Sequence, residues 1–248
     1  MHRKPLLVPK LAFITAWEWE GHGSPPAVIG MNETWMSAET KREFEEKVLA
    51  SLTKLGLATG GMLTRDFRDI LVALANGNRQ YTGWAGDISS DEAGGILVSI
   101  HGDSAVRVLR DDQLVRIDQV PAEYAAESLV DVLPVLAPAA IEPIAIPKSQ
   151  YSPDGAPRAE RFDFVMPDRY APRDPTARAR TLMAAQRSGI HQLYAGNGHG
   201  RRSSPITVVD VIGEGRVLTY VSAQPREEPK INFLPGTKHN IVGALYNS

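Results

Sequence analysis

Cysteine is absent from the 248 residues. That excludes a disulfide framework, thiolate zinc sites, iron–sulfur clusters and cysteine nucleophiles, and leaves the redox compartment open. No apolar run approaches the roughly 18 to 20 residues that span a bilayer, so the sequence predicts no membrane span. A net basic charge is also missing, because 27 Lys and Arg meet 29 Asp and Glu for a formal charge of −2. A globally basic nucleic-acid binder is therefore disfavoured. The apolar fraction of 43% is ample for a core and argues against wholesale disorder.

Sequence motifs of catalysis are equally scarce. There is no H-E-x-x-H, G-x-S-x-G or Walker A sequence, and Gly196-Asn197-Gly198-His199-Gly200 lacks the spacing of a dinucleotide-binding turn. The six histidines, His2, His22, His101, His191, His199 and His239, include no pair at i, i+4, so no metal site is expected. Gly102-Asp103-Ser104 resembles the nucleophile block of the GDSL hydrolases, but the Asp-x-x-His partner of that family is lacking and a hairpin turn is the simpler reading. The sequence predicts neither an enzyme nor a cofactor.

What is present is a clear change of period along the chain. Residues 37 to 55 read as a helix capped by Ser37, with Phe44, Val48, Leu52 and Leu55 on one face and Gly56 as the stop. A second helix runs from about Thr64 to Ala75. Four short strands follow at 80 to 87, 95 to 101, 104 to 110 and 113 to 119, with turn pairs at Gly102-Asp103 and Asp111-Asp112. In the third strand Val106 and Val108 alternate with arginine, which predicts one buried and one wet face. Pro121 is expected to open a helix carrying Tyr124, Leu129, Val130 and Leu133. Nine prolines between 134 and 175 mark a connector, in which Ile144 to Ile146 can join a sheet edge. A helix at about 176 to 188, strands at 190 to 195, 205 to 212, 215 to 222 and 229 to 234, and a last helix at 236 to 246 repeat the earlier order. Two quasi-repeats, about 64–133 and 174–247, are the expectation, within one domain spanning 1–248. The fold class is α+β: a central twisted antiparallel sheet from two pseudo-two-fold related meanders, flanked by two helical bundles.

Two features at the start of the chain stay ambiguous by residue type. His2-Arg3-Lys4 followed by Leu6-Leu7-Val8 has the flavour of a secretory signal, yet Pro5, Pro9 and Lys10 interrupt it, and no cleaved signal is expected. Trp17 and Trp19 would share a face in a strand and splay apart in a helix.

The stretch from Tyr81 to Pro134 resembles the EspG family of type VII (ESX) secretion systems. The likeness rests on the aromatic-Gly-Trp strand (Tyr81, Gly83, Trp84), the polar loop after it, the apolar strand Gly95 to His101, and the proline-led helix ending in Leu133-Pro134. Leu55-Gly56-Leu57 upstream and Asp210-Val211-Ile212-Gly213-Glu214-Gly215-Arg216 downstream are similar to further family elements, with Val211 in place of a threonine. The resemblance implies a cytoplasmic chaperone-adaptor that grips the tip of a PE–PPE heterodimer through the PPE protein, keeps it soluble and directs it to export. It implies no membrane insertion, and family members occur as monomers or homodimers. It maps the client contact onto the loop Gly86 to Gly94, making Trp84, Asp87, Ile88, Ser89, Ser90, Asp91 and Glu92 the candidate partner-binding residues. Ile88 would be an apolar anchor and the three acids would steer a basic patch. An ordinary hairpin loop is the alternative. A rival function, anion or nucleic-acid binding, rests on residues 158–202, where nine arginines outnumber four acids and give a local charge of +5.

Overall fold

The computed structural model describes residues 4–30, 36–87, 93–151, 175–197 and 204–248. In chain order the elements are β1 (Leu6–Pro9), α1 (Lys10–Trp19), α2 (Ala38–Lys54), β2 (Ala58–Thr59), β3 (Met62–Leu63), α3 (Arg65–Ala75), β4 (Arg79–Asp87), β5 (Ala93–His101), β6 (Ser104–Arg110), β7 (Leu114–Pro121), α4 (Ala125–Val130), β8 (Ile144–Pro147), α5 (Pro175–Ala184), β9 (Arg187–Gly196), β10 (Ile206–Val211), β11 (Gly215–Ser222), β12 (Lys230–Pro235) and α6 (Lys238–Tyr246). Short 3-10 turns precede α4 and follow β8.

The helix ends follow local chemistry. The Ser37 side chain accepts a hydrogen bond from the Thr40 amide at 3.2 Å, and Thr237 does the same for Asn240 at 3.1 Å. Gly56, at φ +71°, turns the chain out of α2 while the Leu57 amide reaches back to the Leu52 carbonyl. Phe67, Ile70, Leu71 and Leu74 form the buried face of α3, as their spacing requires.

Ten strands make one sheet in the order β1-β7-β6-β5-β4-β9-β10-β11-β12-β8, with every neighbouring pair antiparallel. The order is a palindrome of sorts. A meander runs outward from each of the central strands β4 and β9. Each outermost strand, β1 or β8, comes from chain preceding its own meander and pairs with that meander's last strand. The two outer strands lie in nearly the same words of sequence, PLLVPK at 5–10 and PIAIPK at 143–148.

Alternation assigns the two faces. Leu97, Val108 and Ile117 pack with α1, α2 and α3 around Phe13, Trp17, Leu52 and Phe67. Their strand neighbours Ile96 and Val98 point the other way, into a core with Leu129 of α4 and Ile241 and Leu245 of α6 that extends to Leu193, Val208 and Leu218. A third core lies on the same face as the first. There Ala179 and Leu182 of α5 cover Val209, Val217, Phe233, Ile144 and Ile146.

Several expectations change. Both faces of β6 are covered, because Ala105 and Leu109 join the second core. Arg107 is accommodated there by Asp118 at 2.9 Å and by the Ser128 carbonyl at 3.1 Å. Pro121 closes β7 instead of opening a helix, since it still pairs with Ser104. The helix expected to reach Ser188 stops at Ala184, and Arg187 already pairs with Val211 across a bulge. Residues 6–19, with their signal-like start, are strand and helix of the fold. The helix splays the two indoles: Trp17 is 2% exposed and Trp19 38%. Leu55 sits at the end of α2 and is exposed rather than part of its apolar stripe.

Candidate partner-binding surface

The strands β4 and β5 stay paired as far as Gly86 and Ala93, so Gly86, Asp87 and Gly94 are strand rather than loop. The connection itself is 88–92. Ile88, Ser89, Ser90, Asp91 and Glu92 lie outside the described residues, as does the side chain of Asp87. Beside the start of β5, the 28–30 segment is tied to β6. The Arg110 Nε donates to the Val28 carbonyl at 3.0 Å, and Arg110 also faces Asp112 at 3.7 Å. Gly95 makes this approach possible, because a Cβ there would stand 2.0 Å from the Val28 oxygen.

Trp84 is half-buried on the face shared by α1–α3 and α5. Its ring meets the edge of Tyr194 on β9, with centroids 5.8 Å apart and planes at 87°. Gln192, opposite Trp84 in the register, is exposed beside them. The central strip of the sheet therefore carries an aromatic pair between two helical packs. Sequence reading missed Tyr194. The likeness of Tyr81-Thr82-Gly83 to Tyr194-Ala195-Gly196 was its only signal, and these segments prove to be directly paired in the sheet.

A second feature missed by sequence is a buried ionic cluster. Arg216 Nε and Nη2 donate to Asp210 at 2.7 and 2.8 Å, and His191 Nε2 donates to the same carboxylate at 3.1 Å. All three side chains are buried. Burial alone would push the Asp210 carboxyl up. The hydrogen bonds from Arg216 and His191 and the Arg216 charge outweigh it and hold the group at about 2. Register brings the three together, since Asp210 lies opposite Gly189 on one side and Arg216 on the other. The cluster gives the sequence element from Asp210 to Arg216 a structural role: its acid and its arginine are ion-pair partners across a hairpin.

Gly102-Asp103-Ser104 is a hairpin turn with Gly102 at φ +61°, and Ser104 Oγ donates to the His101 carbonyl at 3.4 Å. Among the described residues no group of three or more His, Asp or Glu is gathered in metal-binding fashion. Residues 158–174 and 198–203 of the arginine-rich stretch lie outside the described residues. Of its other arginines, Arg178 binds Glu214 at 2.7 Å and Arg187 donates to the Met183 carbonyl.

The arrangement defines an α+β scaffold in which His191, Asp210 and Arg216 pair with one another in the interior, and whose candidate surface is an aromatic pair beside the strand ends that flank 88–92. The EspG family model matches residues 9–247, and the chain belongs to the EspG family. It is thus a type VII secretion-associated protein. A search of curated proteins finds no match. Among the described residues no helix is long and apolar enough to cross a membrane.

Proposed function

We propose that this protein is a cytoplasmic chaperone-adaptor of a type VII secretion system, which binds a PE–PPE heterodimer at the tip of the PPE helical bundle and directs it to export. Membership of the EspG family over residues 9–247 carries the reading. A helical tip with bare apolar side chains self-associates, and covering it requires shape and apolar surface rather than a reactive group. The strand ends that flank residues 88–92 and the Trp84–Tyr194 pair are the contact surface of this reading. An interface of ordinary size would bury about 1,600 Å² in total. The same reading treats residues 1–248 as one domain of two quasi-repeats. The matching outer strands at 5–10 and 143–148 and the mirrored strand order support that relation.

The test is a tagged pull-down from native cytosol at moderate salt with mass-spectrometric identification. Recovery of a PE–PPE pair in a soluble one-to-one-to-one complex is expected. Recovery of nucleic acid instead would replace the proposal with the rival based on residues 158–202.

A further inference from the structure

We propose that the segment Pro134–Pro138 is a rigid apolar knuckle that forms part of the docking surface for an apolar-tipped helical bundle; the partner rests on the functional proposal above, and the surface on the geometry that follows. The chain leaves α4 with Leu133 buried and then places Val135 fully in solvent and Leu136 39% exposed. A single exposed valine is ordinary. This one is held on both sides. Downstream, the Ala137 carbonyl accepts from the Arg216 amide and the Ala139 amide donates to the Arg216 carbonyl, each at 2.8 Å. Upstream, Asp131 is bound by Lys238 of α6. Gly215, at φ +100°, lets the segment close on β11, because a Cβ there would stand 2.6 Å from the Ala137 oxygen. The residue gripping the knuckle by its backbone is the one whose guanidinium is buried on Asp210. The ionic cluster thereby fixes the mount, and prolines at 134 and 138 restrict the rest. Anchors that are rigid before binding lose little entropy when they dock.

The knuckle lies at the end of the sheet from which the 88–92 connection emerges, since Asp87, Gly189, Asp210 and Arg216 follow one another across neighbouring strands. Ile212, in the turn between β10 and β11 at the same end, is 53% exposed. From β5 to β11 this end spans four strand spacings, about 19 Å. Two packed helices, with axes roughly 8–10 Å apart and diameters of about 10 Å, present a tip of about that width. Among the described residues four cations here are ion-paired, Arg216 with Asp210, Arg178 with Glu214, Lys238 with Asp131 and Arg110 with Asp112, while Arg187 donates to the Met183 carbonyl. Such a surface suits an apolar partner better than a phosphate-bearing one.

The experiment places the photo-crosslinker p-benzoylphenylalanine at position 135, and separately at Tyr124 at the far end of the sheet. Each full-length chain is then irradiated in the cytosol and recovered with its client. Crosslinking of the PPE protein from position 135 and not from 124 is expected. Val135→Asp should weaken binding of the purified PE–PPE pair at least tenfold with an unchanged melting temperature, as Val135 is fully exposed. If the pair is recovered but position 135 stays silent, or Val135→Asp binds as wild type, the knuckle is wrong and the adaptor reading stands. If wild type recovers no such pair, both fall.

Discussion

Replacing Asp210 with asparagine tests whether the buried cluster holds this end of the sheet together. The change preserves shape and removes one negative charge, leaving the Arg216 guanidinium buried without a counter-ion. Breaking a buried pair in this way costs about 3–5 kcal/mol. The protonation behaviour of Asp210 gives a second handle. Its folded carboxyl is held down at about 2 against an ordinary 3.8, a difference corresponding to about 2 kcal/mol of stability at neutral pH. Because the folded carboxyl binds its proton more weakly than the unfolded one, this contribution is complete above about pH 5 and declines as the pH falls through 4 toward 2. By pH 3 roughly 1 kcal/mol of it is gone. For a chain of this size each kcal/mol moves the melting temperature by roughly 2–4 °C. Thermal unfolding followed by circular dichroism at pH 7 should show Asp210→Asn melting about 10 °C below wild type, and the gap should narrow by a few degrees at pH 3. A variant melting within 2 °C of wild type at pH 7, or a gap of constant size across that range, would refute the reasoning. The double replacement Asp210→Leu with Arg216→Met should recover much of the loss, since apolar side chains of similar volume substitute well for a buried pair.

Gly95→Ala drives a methyl into the Val28 carbonyl and should cost about 1–3 kcal/mol by overpacking, with faster limited proteolysis between residues 20 and 30 as the readout. Ile88→Asp should weaken the client complex at least tenfold in an equilibrium binding assay without moving the melting temperature; wild-type affinity would place the contact elsewhere. Client affinity should change less than threefold between 50 and 200 mM salt, whereas binding through six to ten phosphate contacts would lose about 10³–10⁵ over that interval.

The elements that read clearly from sequence are those whose signal is local. Ser37 caps α2, Gly56 ends it, and the apolar stripe of α3 is the buried one. The two meanders are equally plain, because Gly102-Asp103 can do little but turn. What escaped depends on partners far apart in the chain. β1 looks like the start of a signal until β7, more than a hundred residues later, pairs with it. The arginine of β6 predicts a wet face until α4 and Asp118 cover it. His191 has nothing nearby to mark it as buried, and only the register of β9 against β10 sets it on Asp210. The repeat of PLLVPK as PIAIPK was visible in the letters, but at six residues it gains meaning only when both copies occupy the outer positions of one sheet. Of the candidate partner-binding residues, Trp84 is half-buried in an aromatic pair, and the five from Ile88 to Glu92 lie outside the described residues.

Those two outer strands have a consequence for a protein that would handle self-associating clients. A ten-stranded sheet offers its unpaired flanks to any extended chain, and a partly unfolded client is a source of such chains. Here each flank is four residues long and framed by proline on both sides, Pro5 and Pro9 on one, Pro143 and Pro147 on the other. Proline lacks the amide a new strand would need and resists straightening into a longer ladder. Each flank of the sheet is thus a short, proline-bounded edge that gives an added strand little to grow on.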